Sequence, residues 1–146
     1  HILAHFATEP QLLEELVYRG GLSHAVAERL FYKVSGNMKR QLTKKYRLSK
    51  EVVDDTVDAA RETAVLEFLS PWMSQQDITH LVNEMEKSKR LTDSVIIRSL
   101  VIGDVRFFVT AIAKRVGVPV SNAKILSTDP GPLGFRTLYA NAKLPP

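Results

Sequence analysis

Cysteine is absent from this chain, which removes disulfides, thiolate zinc sites and cysteine nucleophiles from consideration. No apolar run approaches the ~20 residues that a membrane span requires. The longest candidates, 95–102 and 107–112, are interrupted by Arg98, Ser99 and Asp104. No glycine-rich phosphate loop occurs, and no alternating run of β-branched residues lasts long enough to make a strand. The chain begins at His1 and lacks the charged and apolar regions of a signal peptide, so it reads as a fragment of a longer protein. A cysteine-free composition suits the cytoplasm, which is the expected compartment.

What is present is ordinary globular material. Apolar residues make up 45% and charged residues 25% of 146 residues, the size of a single domain with its own core. We therefore expect one all-helical domain over 1–146. The net charge is +4, and its distribution says more than its total. Residues 1–50 hold 9 Lys/Arg against 4 Asp/Glu, residues 51–70 hold 1 against 6, and residues 71–146 hold 10 against 6. An acidic segment between two basic ones favours charge pairing between neighbouring helices over a uniform nucleic-acid surface.

One helix-entry phrase appears three times, as Leu22-Ser23-x-x-Val26, Leu48-Ser49-x-x-Val52 and Leu91-Thr92-x-x-Val95. Each puts a Ser or Thr N-cap between an apolar residue just before it and another three residues after it, read as a hydrophobic staple, with each cap worth ~1 kcal/mol. Further starts are read at Ser74 with Asp77, at Asp104 and at Ser121. Stops are read at Gly20-Gly21, Ser70-Pro71, Gly103, Gly117 and the Asp129-Pro-Gly-Pro turn. The periodicity predicts helices over 10–19, 23–36, 38–46 (after a break at Gly36-Asn37), 49–69, 75–89, 92–103, 105–116, 121–127 and 133–143. The architecture is all-α: about eight short helices in antiparallel pairs, as a compact bundle or a short, irregular α-solenoid.

Four stretches resemble an uncharacterised bacterial family, domain of unknown function 2336. They are Leu22-Ser-His-Ala-Val-Ala-Glu-Arg-Leu30, the run Ala59-Ala-Arg-Glu-Thr-Ala64, the corner Leu100-Val-Ile-Gly103-Asp104, and the tail Leu138-Tyr139-Ala140 with Leu144-Pro145. The resemblance extends over 22–69 and 91–144. It implies an α-helical repeat protein distantly similar to HEAT repeats, and it brings no established activity, so no catalytic residue carries over.

Two segments carry candidate binding chemistry. Lys39, Arg40, Lys44, Lys45 and Arg47 form the densest basic cluster, with Arg40 and Lys44 on one helical face. They are the candidate surface for a protein partner, or else a solvated face compensated by Asp54, Asp55 and Asp58. The segment 109–127 resembles a helix-turn-helix, in which Lys114, Arg115, Asn122 and Lys124 would contact DNA. Its second helix is short and poor in donors, so a structural helix pair is preferred.

The other constellations are weaker. His1 and His5 have metal-chelating spacing but no third ligand nearby, His24 follows a cap, and His80 has Glu84 one turn away. Asp54, Asp58 and Glu62 align on one face without the Glu-x-x-His motifs of a di-metal bundle. Trp72 reads as a core plug. No catalytic set, metal or cofactor is expected. The sequence points to a non-enzymatic helical module that binds another protein, with a DNA-binding regulator as the alternative.

Overall fold

The computed structural model describes residues 23–69 and 73–146. The helix expected over 10–19, the stop at Gly20-Gly21, the first staple's Leu22, the stop at Ser70-Pro71, His1, His5 and Trp72 lie outside the described residues, as does the side chain of His24. The described residues form seven α-helices and no strand. The chain clusters into two compact units, His1–Trp72 and Met73–Pro146.

In the first unit α1 spans His24–Tyr46 and α2 spans Lys50–Ala64. Ser23 Oγ accepts from the Val26 N–H at 3.4 Å and Ser49 Oγ from the Val52 N–H at 3.4 Å. The caps stand where the sequence puts them. The apolar residues three places after the caps do not go inside, since Val26 is 41% and Val52 59% exposed, whereas the next residues, Ala27 and Val53 at N4, are buried. The break expected at Gly36-Asn37 does not occur, and α1 runs through both residues. A single helical glycine costs only ~1 kcal/mol relative to alanine. Lys39, one turn on, is fastened to α2, which offsets that cost. At its far end α2 passes into a π-helical turn, Val65–Leu69, whose Val65 and Leu66 are buried.

The second unit begins with α3, Gln75–Lys87, opened by the expected capping box. Ser74 Oγ accepts from the Asp77 N–H, and Asp77 Oδ2 from the Ser74 N–H, both at 3.1 Å. Next comes α4, Asp93–Val101, capped by Thr92 through the Val95 N–H at 3.3 Å. Here the staple is real: Leu91 at N′ is 4% exposed, and Val95 and the N4 residue Ile96 are both 0% exposed. Gly103 at φ 85° turns the corner, and Asp104 Oδ1 accepts from the Phe107 N–H to open α5, Val105–Val116.

Helix α5 is the hub, with seven consecutive buried residues from Phe107 to Ala113. It packs against α3, α4 and the last two helices, α6 (Val120–Thr128) and α7 (Pro132–Asn141). Gly117 at φ 80° closes α5 as expected. Ser121 does not cap α6. That position belongs to Pro119, with no side-chain cap bond, because proline's fixed φ already suits an extended residue before the helix. Buried Ala123 seats α6, and a Cβ added at Gly134 would lie 3.0 Å from the Leu126 carbonyl, so glycine lets α7 lie close to α6.

Candidate interaction surface

The basic stretch divides once its side chains are placed. Lys39 turns towards α2, where its Nζ donates to Asp58 Oδ2 at 2.7 Å and lies 3.3 Å from Asp54 Oδ1. Asp58 Oδ1 also accepts from Arg61 Nη1 at 2.7 Å, and the Arg61 guanidinium sits 5.2 Å over the Tyr32 ring. Partial burial pulls the Lys39 pKa down, but the bonds and charges of Asp58 and Asp54 outweigh it and hold the pKa above its ordinary value. Lys39 is a clamp between α1 and α2.

The rest of the cluster faces solvent. Arg40 donates to Asn37 Oδ1 on its own helix. Lys45 Nζ lies 5.6 Å over the Tyr46 ring. Lys44 is exposed in the last turn, and Arg47 is the left-handed C-cap at φ 52°, both where the helix dipole favours cations. Arg40, Lys44 and Arg47 stand at i, i+4 and i+7, one face of α1. Lys33, seven residues before Arg40, is exposed and extends that row. The sequence reading did not include it, although the same spacing marks it. Among the described residues, Lys33, Arg40, Lys44 and Arg47 have no acidic partner at ion-pair distance.

The α5–α6 residues also divide. Lys114, Asn122 and Lys124 are exposed. Arg115 is committed to the fold: its Nη1 donates to Asp93 Oδ1 at 2.6 Å and its Nη2 to the Leu91 carbonyl at 2.7 Å. One of the three cations that a phosphate contact would need thus fastens the start of α4.

Three of the acidic residues of α2 are used locally, and exposed Glu51 and Asp55 are not among them. Asp54 and Asp58 serve Lys39 and Arg61, and buried Glu62 lies 3.8 Å from Arg61 Nη2. Among the described residues, no group of three or more His, Asp or Glu side chains is placed to hold a metal ion. His80 is exposed on α3. No described helix is long and apolar enough to cross a membrane.

The profile of one bacterial family, described as "Uncharacterised protein conserved in bacteria (DUF2336)", matches residues 1–146. No curated protein and no solved structure matches the chain.

Proposed function

The chain belongs to this uncharacterised bacterial family, and from that premise we propose that it is a non-enzymatic, HEAT-like helical module of the cytoplasm that binds another protein. The observation behind this is the exposed row on α1. Arg40, Lys44 and Arg47 have no acidic partner among the described residues, while Lys39 beside them is spent on the fold. Cations that do not hold the helices together are available to a partner, and rim charges of this kind steer association and choose between partners.

The test is affinity capture with the full-length protein from its native host. A partner identified there is then rebound with purified components. The Arg40→Glu, Lys44→Glu, Arg47→Glu triple variant is expected to lose it with an unchanged circular dichroism spectrum. The second reading, a DNA-binding regulator, draws on exposed Lys114, Asn122 and Lys124. It is favoured instead if duplex DNA binds with a salt slope of ~0.9 log unit per phosphate contacted.

A further inference from the structure

The cations of α1 are not merely clustered. Lys33, Arg40 and Arg47 are seven residues apart, and Asn37 and Lys44 form a second row with the same repeat between them. Seven residues are close to two turns, so both rows stay on one side of the helix for about 21 Å, with cations about 10.5 Å apart. Val26, 41% exposed and seven residues before Lys33, begins the first row. The one acidic residue in α1, Glu28, is buried, so no carboxylate interrupts the ridge.

We infer that this ridge docks an acidic α-helix of the partner protein lying along α1, its carboxylates repeating at the same heptad interval. The inference rests on the protein-binding reading above and specifies its partner. A repeat of two helical turns is the spacing at which one helix presents charges to another, as flanking charges do in coiled coils. The other polyanions suit the ridge less well. Single-stranded nucleic acid is held by aromatic faces as well as cations. The nearby aromatics, Tyr32 and Tyr46, are about half exposed, and each already has a cation over one ring face, Arg61 and Lys45. A lipid surface needs a broad apolar face to insert, whereas exposed apolar residues beside the ridge, Val26 at one end and Tyr46 and Leu48 at the other, are separated by its length.

The test uses two fluorescent helical peptides of identical Ala/Gln/Glu composition. One carries glutamates seven residues apart. The other carries them five apart, which scatters the carboxylates around its axis. At low salt the protein is expected to bind the heptad peptide on the order of tenfold more tightly, in line with several weak exposed pairs acting together. The triple variant Lys33→Gln, Arg40→Gln, Arg47→Gln, which spares the Lys39 clamp, should bind both peptides alike.

Equal binding of both peptides by the wild type overturns the inference, as does tighter binding of duplex DNA or of phosphatidylglycerol vesicles than of the heptad peptide. A host partner that the triple variant still captures overturns the ridge and leaves the protein-binding reading intact. Discrimination between the peptides with no host partner captured does the reverse.

Discussion

The pair α1–α2 and the group α3–α7 solve the same problem with different materials. The pair is fastened on one side by a ladder of charge, from Asp54 through Lys39 and Asp58 to Arg61. In the group, the contacts converge on an apolar helix, and its polar bonds lie at the margins, at the starts of α3 and α4. The first arrangement depends on solvent and proton concentration, because exposed ion pairs are screened and titrate. The second depends on volume, because close-packed interiors resist the loss of even a methylene. A chain with both has one part whose surface chemistry is adjustable and another whose shape is fixed.

The largest expected effect lies in the packed group. Phe107 is 0% exposed, and Phe107→Ala should destabilise its unit by ~3–5 kcal/mol, seen as a large drop in melting temperature. A shift of only a degree or two would mean that α5 is not the hub.

Arg115→Gln comes next, at ~1–3 kcal/mol, because it leaves the Leu91 carbonyl and Asp93 without their donor. Lys114→Gln and Lys124→Gln, at exposed positions, should each stay within ~0.5 kcal/mol. Equal effects of all three on thermal unfolding would erase the distinction between a structural cation and a surface one.

The smallest effect belongs to the charge ladder. The folded-state pKa of Lys39 lies above its unfolded value of 10.5, so its contribution is fully present below pH 10.5 and is lost as pH rises through the folded value. Its carboxylate partners are more than a third exposed, which keeps the contribution below ~1 kcal/mol. Unfolding free energy from denaturant titrations should fall more steeply above pH 10.5 in the wild type than in Lys39→Met. Identical profiles would remove the ladder from the comparison.

Most local chemistry was legible in the sequence, apart from the cap read at Ser121 and the break read at Gly36-Asn37, and long-range pairing was not. Ser23, Ser49, Ser74, Thr92 and Asp104 all read as N-caps and all accept the expected bond, because a cap is decided within four residues. The three entry phrases look alike in sequence, yet of the valines three places after the caps only Val95 is inside, because burial at that position depends on what lies across from it, while the N4 residues Ala27, Val53 and Ile96 are buried in all three. The acidic segment correctly announced charge pairing, and Asp54 and Asp58 do meet a lysine of α1. Spacing within one helix could not say that Lys39 would be the one taken, across 19 residues, nor that Arg115 would reach Asp93 across 22. Arg40 and Lys44 were legible as a face because that face needs only the helical repeat, while Arg47 read only as part of the cluster at the helix end.

Burial on every side leaves α5 with a problem of phase. A helix with an apolar stripe has one rotation about its axis that hides the stripe, and the hydrophobic effect selects it. With apolar side chains all round, many rotations bury nearly the same area, so burial alone cannot choose among them. Beside the close fit of side chains of unequal size, the angular setting of α5 is fixed by its few polar groups, acting as keys. Thr110 accepts from Gln75 at 2.9 Å, Arg106 donates to the Met73 carbonyl at 2.9 Å, and Arg115 reaches the Leu91 carbonyl from the other end. These three bonds, minor in energy beside the surrounding core, make one orientation of an almost featureless cylinder different from all the others.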